Sequence, residues 1–417
     1  MSARRSTTKG PRHALGIDFG LHTIKAAWLE RTAEGPVLRH AGQIQTPAGA
    51  LEKGVITRPR EVASQLQSLI TASGYPAAAA SASVPMEHSL IRWIDLPVMD
   101  AESLRAATRF EARKYLPFPA DQAEIEIVPV EPGGGKANDA AAAASAVTPP
   151  AGMHAMLIAT PREVMGSRAE TLEMAGLEVS GVEAEAFAMI RAREDLPGEH
   201  RGRFWRRQSV AYIQLGEESS GMCVVQDGQI RFVRAISWGG SRLTHALAQA
   251  RNGSIDEARA LKEHPETVVD EQGRIAWGGG NDGAARDEHA GALVPELDRV
   301  CREIQRLLNY YRSLYPERSY EGILNRVTLC GGTASLRGLD AYFSGRLQVQ
   351  VKTRDPFLTR IARQDARAGG NGASFDVALG LALGQLDAAA AAAQQQRGGE
   401  PQPLREFVWR RRAAGVA

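Results

Sequence analysis

The strongest constraint on this 417-residue chain is a unit that occurs twice. An apolar strand, His13–Asp18, delivers an acidic side chain to a glycine-bearing turn, Phe19–His22, and a second apolar strand, Thr23–Glu30, follows. About 196 positions later Ser209–Leu215 leads through Gly216-Glu217-Glu218-Ser219-Ser220-Gly221 into Met222–Gln226, and Asp227-Gly228 turns the chain into Gln229–Ile236. Apolar, β-branched runs broken by glycine and polar clusters are the pattern of hairpins. Two matching hairpins, one at the head of each half, rarely arise by chance, and the chain's length suits about two to four domains.

The segments between the hairpins alternate helix and strand, which predicts an α/β fold. Pro59–Ser73 carries Val62, Leu66, Leu69 and Ile70 on one helical face. Strands are expected at Val37–Gln45, Ala80–Val84, Ser89–Ile94, Glu124–Val130 and Met153–Ala159, and a helix at Ala101–Tyr115. Thr160-Pro161-Arg162-Glu163 has the spacing of a capping box opening the next helix, with Gly176 as its stop. This run suggests a small α+β subdomain at 96–181, after an α/β domain begun over 13–95; the chain continues over 182–207 as a helix and a charged linker. The second half, 208–372, repeats the opening pattern, with the long helix Val294–Tyr315, a strand at Asn325–Cys330 and a helix at Ser335–Phe343, and a C-terminal helix follows at 373–393. Residues 1–12 and 394–417 read as flexible basic tails.

Charge is uneven. Residues 1–13 hold +4 and residues 394–417 hold +3, so with a net charge of +2 the remainder carries −5. An acidic body with basic ends does not present a nucleic-acid surface. Cys223, Cys301 and Cys330 are too few and too separated for a disulfide framework or a zinc site. The N-terminus has no apolar run of the signal-peptide kind, and the uncharged stretch Ala140–Thr160 is too alanine-rich to span a bilayer. The expectation is a soluble cytoplasmic protein.

Three segments carry candidate chemistry. In the first, Asp18 stands at a strand end, where it can hold a hydrated Mg²⁺, and the turn after it (Gly20, Leu21, His22, Thr23, Lys25) offers backbone N–H groups to a phosphate. A plain polar hairpin is the competing reading. In the second, Gln214 precedes Gly216, Glu218 and Ser219 in the matching turn. In the third, Gly331-Gly332-Thr333 sits between a strand and a helix, where glycine allows close approach to a base or ribose and the helix N-terminus adds partial positive charge; a structural turn is the alternative. His22 is expected in solvent, as are Glu217 and Glu218.

In this order and spacing the three segments resemble the phosphate-one, phosphate-two and adenosine motifs of the actin-like ATPase superfamily, and within it the PilM family of type IV pilus assembly. Further PilM-like stretches are Arg92–Met99, Phe110–Phe118, Ile230–Gly240, Asp256–Lys262, Glu303–Arg306, Tyr310–Ser313 and Asp376–Ala382. The resemblance covers about residues 14–387. It implies an actin-like (RNase H-like) two-lobed fold with a nucleotide cleft, binding ATP with Mg²⁺: lobe 1 over 13–95 and its return at 182–207, the inserted subdomain at 96–181, and lobe 2 over 208–372 with a small insertion near 253–292. It implies a scaffold at the inner membrane that takes the N-terminal tail of a PilN-like membrane protein in a groove between lobe 1 and the inserted subdomain. That scaffold would link PilN to the cytoplasmic motor ATPases; self-association is left open, and no nucleic acid is implied. Family members carry Asp where this chain has Gln214, which implies weak or absent hydrolysis. The alternative is a cell-division protein of the related FtsA type, whose membrane-binding C-terminal helix the segment Leu404–Arg412 resembles in composition; a tail with chance apolar residues remains open. A sugar-kinase-like enzyme lacks a further substrate motif here.

Overall fold

The computed structural model describes residues 12–129, 152–193, 209–226, 229–276, 289–314, 324, 326–353, 355–358, 362–363 and 372–395. Residues 130–151, the linker at 196–207, the turn Asp227-Gly228 and nearly all of both tails lie outside them. Arg12, assigned to the first tail, instead pairs with buried Glu30 at 2.6 Å.

Two sheets of matching topology organise the chain. In lobe 1, β1 (His13–Phe19), β2 (Thr23–Arg31) and β3 (Pro36–Gln45) form an antiparallel meander. Next come a short hairpin, β4 (Leu51–Glu52) and β5 (Val55–Ile56), the helix α1 (Pro59–Ser73) and the strand β6 (Ala79–Val84). β6 runs parallel to β1 on its other side. In lobe 2, β11 (Ser209–Leu215), β12 (Ser220–Gln226) and β13 (Gln229–Ile236) repeat the meander, and β16 (Arg326–Cys330) runs parallel to β11. β1 and β11 are buried along nearly their whole length because both faces of each sheet are covered.

The inserted unit is smaller than the sequence pattern suggests. β7 (Leu90–Pro97), α2 (Ala101–Ala112), β8 (Ala123–Pro129) and β9 (Gly152–Pro161) make a separate antiparallel sheet, ordered β7-β9-β8, with α2 on one face. The helix α3 (Arg162–Met174) and β10 (Glu178–Ala184), assigned above to the insertion, belong to lobe 1. β10 pairs parallel to β6, and Leu172 and Val164 of α3 pack into the lobe 1 core. No capping box opens α3: Thr160 and Pro161 stay in β9, which pairs with β8 as far as Ala123↔Pro161. The inserted sheet turns its other face to lobe 2, where the Trp93 indole N–H donates to the Ile230 carbonyl at 2.7 Å and the Arg231 guanidinium stacks over the Trp93 ring.

α4 (Glu185–Arg193) and α9 (Asp376–Gln395) cross between the lobes; numbering along lobe 2 runs α5 (Ser241–Arg251), α6 (Ile255–Glu263), β14 (Val268–Val269), β15 (Ile275–Ala276), α7 (Val294–Ser313), α8 (Leu339–Leu347) and β17 (Val351–Thr353). β18 (Ala362–Arg363), inside the stretch assigned above to lobe 2, instead pairs parallel to β3 at the edge of the lobe 1 sheet. Phe187 and Met189 of α4 meet Val377 and Leu381 of α9 in a core that also holds Tyr212 and Cys223 of lobe 2. From α9, Gln385 Oε1 accepts the Leu15 N–H at 3.1 Å, tying the helix to β1. α6 starts at a capping box, Ser254 with Glu257. The expected helix at Ser335–Phe343 is displaced: a 3-10 turn spans Thr333–Ser335, and α8 begins only after Gly338 in the left-handed region.

Candidate functional site

The two repeated hairpins and the Gly331 turn meet at one cleft of about 1520 Å³ between the lobes. Every sequence-selected residue lines it: Asp18, Gly20, Leu21, His22, Thr23 and Lys25 from lobe 1, and Gln214, Gly216, Glu218, Ser219, Gly331, Gly332 and Thr333 from lobe 2.

Antiparallel register places Asp18 opposite Lys25, and the Lys25 ammonium lies 3.6 Å from the Asp18 carboxylate. Both are nearly buried, so this pair feels little screening from water. The turn between them is fixed by Thr46, whose hydroxyl donates to the Gly20 carbonyl at 2.7 Å. The second turn is held from below. Gly240 N–H donates to the Gly216 carbonyl and Ser241 N–H to the Glu217 carbonyl, both at 2.8 Å. Gly239 must lack a side chain, because a Cβ there would lie 2.2 Å from the Glu217 carbonyl oxygen. That explains the Trp238-Gly239-Gly240 sequence, with Trp238 wholly buried behind it. Thr333 closes the ring: its hydroxyl donates to the Gly216 carbonyl at 3.0 Å. Gly331 is required twice over, with φ of 88° and a would-be Cβ 2.6 Å from the Leu215 carbonyl oxygen. With α8 starting six residues beyond Thr333, among the described residues no long helix points its N-terminus at this turn, contrary to the expectation above.

Two side chains expected in solvent are engaged. His22 Nε2 lies 3.6 Å from Glu263 Oε1, a contact from lobe 1 to α6 across the cleft. Burial opposes ionisation of Glu263, but the His22 hydrogen bond and the Lys262 charge outweigh it and hold the carboxyl below its usual value. Glu217 pairs with Arg259 at 3.0 Å, so its charge is turned to α6 and away from a bound anion. Glu218 is exposed, as expected.

Three cleft residues escape the sequence pattern. Lys262, almost fully buried, donates to Thr244 Oγ1 at 2.8 Å and to the Gly240 carbonyl at 3.3 Å; burial draws its ammonium below the ordinary value against the pull of Glu217 and Glu263. Glu185, the first residue of α4, sits on the cleft floor, accepting the Met86 N–H at 2.5 Å and the Gln214 amide N–H at 3.3 Å. Burial, aided by the Asp18 charge, pushes its carboxyl up to about 7 despite those hydrogen bonds. Arg168 of α3 is wholly buried beside them, and burial pulls it down to about 10. It donates to the Ser83, Gly54 and Val164 carbonyls, while Nη2 has no partner. An acid opening a helix directly after an amphipathic strand is the one available signal for Glu185.

The donor set fits a hard divalent cation. The Asp18 charge adds to the cost of ionising Glu185, and the buried Gln214 Oε1 has no hydrogen-bond partner. Among the described residues no cluster of three or more His, Cys, Asp or Glu side chains could cage a metal alone. A cation here would complete its shell with water and phosphate oxygens, as Mg²⁺ does.

Two lobes of one topology, crossed by a pair of helices and lining a cleft with three backbone turns, define the actin-like fold. The chain belongs to the PilM family: the model described as type IV pilus assembly protein PilM matches residues 16–272. A solved PilM-PilN type IV pilus biogenesis complex aligns with a TM-score of 0.71 at 22% identity, covering 90% of this chain and 99% of that chain. The ethanolamine utilization protein EutJ from Carboxydothermus hydrogenoformans aligns with a TM-score of 0.51 at 15% identity, covering 91% of this chain and 93% of that chain. No helix among the described residues is long and apolar enough to cross a membrane.

Proposed function

We propose that this protein is an ATP-binding scaffold of the type IV pilus assembly machinery. The observation that carries the nucleotide reading is the convergence of both hairpin turns and the Gly331 turn on one cleft with Asp18, Lys25 and Glu185 at its floor. ATP would lie with its phosphates against Asp18 and the Gly20 turn and its adenosine against Gly331-Gly332-Thr333, with Mg²⁺ beside Asp18. Hydrolysis would be slow. Phosphoryl transfer depends on placed charge, and Gln214 spends its amide on Glu185 and brings no carboxylate of its own.

The partner in this reading is the N-terminal tail of a PilN-like inner-membrane protein, through which the chain would sit at the membrane and reach the cytoplasmic motor ATPases. A groove of about 170 Å³ supports it, lined by Met86–Ile91 and by Pro117 and Phe118 of the inserted unit; Val233–Ala235 of β13 add a wall from lobe 2 that the resemblance did not imply. Calorimetry should detect Mg·ATP binding that Asp18→Ala weakens at least tenfold, while phosphate release stays near the no-enzyme rate. Robust turnover abolished by Asp18→Ala would remove the role given to Gln214. A PilN-like tail peptide should bind the wild-type chain and fail with Phe118→Arg; equal binding by both would overturn the groove.

A further inference from the structure

We infer that the exposed face of α2 docks on an anionic lipid bilayer. α2 buries Leu104 and Ala112 against the inserted sheet. On its outer side Arg105, Arg109 and Arg113 are all exposed, at i, i+4 and i+8, so they form one stripe with a spacing of roughly 6 Å. Lys114 is exposed beside them, and exposed Arg92 of β7 stacks its guanidinium over the Tyr115 ring. Phe110 lies on the same side with 65% of its surface exposed, and Val98, just before the helix, is 66% exposed. No other large hydrophobic side chain among the described residues stands so far into water.

Among the described residues the three arginines of the stripe are unanswered. Glu111 is taken by Lys114 at 2.7 Å, and Asp100 caps the helix by accepting the Ser103 N–H. Among the described residues no carboxylate lies within ion-pair reach of Arg105, Arg109 or Arg113, and Glu102 is the other acid on the helix. Like charges four apart weaken a helix, so the stripe has no folding rationale. It also runs against the charge of the body, which is −5 without the two ends.

A peptide partner is held by a groove or a strand edge, whereas this helix face is convex. Lipid headgroups rearrange to meet cations at any spacing, and an exposed Phe among arginines fits the headgroup boundary. The inference does not depend on a tail peptide or a nucleotide.

The test uses the full chain and vesicles of phosphatidylcholine with or without phosphatidylglycerol, read by co-sedimentation. Binding should require phosphatidylglycerol and fall with added salt. Each cation contributes roughly fivefold, so R105Q/R109Q/R113Q should lose on the order of a hundredfold in partitioning. The triple Arg→Lys variant should keep it, since lipid attraction reads charge, whereas a protein partner reading guanidinium geometry would not tolerate the change. Neutralising Arg405, Arg410, Arg411 and Arg412 should leave the α2 dependence intact. Unchanged melting temperatures would show that these exposed substitutions spare the fold. No binding to phosphatidylglycerol vesicles, binding indifferent to the Gln variant, or loss in the Lys variant would each overturn the inference. So would capture on poly-glutamate that phosphatidylglycerol vesicles cannot compete away.

Discussion

Replacing Glu185 by Gln should make the protein more stable at neutral and alkaline pH and leave it nearly unchanged below about pH 4. In the unfolded chain this carboxyl ionises around 4.5, and in the fold burial and the neighbouring Asp18 push it up to about 7. Below pH 4.5 it is protonated in both states and contributes no pH dependence. Between 4.5 and 7 the folded protein keeps a proton that the unfolded chain has released, so stability falls as pH rises; above 7 the penalty is fully developed. At ~1.4 kcal/mol per pH unit between those two values, it amounts to about 3 kcal/mol. Glutamine cannot ionise, and its Oε1 can still accept the Met86 N–H that Glu185 accepts now. Unfolding free energies from urea titrations should therefore agree near pH 4 and diverge toward pH 8.5, with the variant higher by up to about 3 kcal/mol. Parallel pH profiles for the two proteins would show that Glu185 is not the buried, proton-holding group described here.

The same carboxyl should report on the cleft. A divalent cation beside Asp18 and Glu185 lowers its proton affinity, so Mg·ATP binding at pH 7 should release up to about half a proton, visible as a buffer-dependent heat and absent in Glu185→Gln. Gly331→Val forces a β-branched side chain into φ of 88° against the Leu215 carbonyl, and should cost about 2–3 kcal/mol and abolish nucleotide binding even where the fold survives. Trp93→Ala deletes an indole packed on lobe 2 and its hydrogen bond to Ile230, and should lower stability by about 2–3 kcal/mol and open the inserted unit to protease; an unchanged digestion pattern would contradict the docking.

Turn chemistry is local, which is why so much of the cleft can be read from the chain. Strand, glycine and polar residue recur within a few positions, and the antiparallel register then brings Lys25 to Asp18. What is not local is which sheet a strand joins. β10 has an ordinary amphipathic sequence, and only its parallel pairing with β6, across the whole inserted unit, makes it part of lobe 1 and so brings Glu185 to the cleft floor. Thr160-Pro161 carries a helix-start signature, but the ladder to β8 holds these residues in a strand, tertiary pairing overriding a local preference. His22 and Glu217 look like solvent residues until α6 packs across from them, and nothing near them in sequence announces Arg259 or Glu263.

β13 forms one edge of the lobe 2 sheet, in the order β13-β12-β11-β16-β17. An uncovered edge offers a row of free amide and carbonyl groups to any passing strand. The inserted sheet lies against that edge, and the Trp93 indole occupies the Ile230 carbonyl that a foreign strand would otherwise seek. The inserted unit therefore doubles as an anti-aggregation guard. Excising it to probe partner binding would yield a protein inclined to stick edge to edge, and the resulting loss of binding would report insolubility as readily as a missing interface.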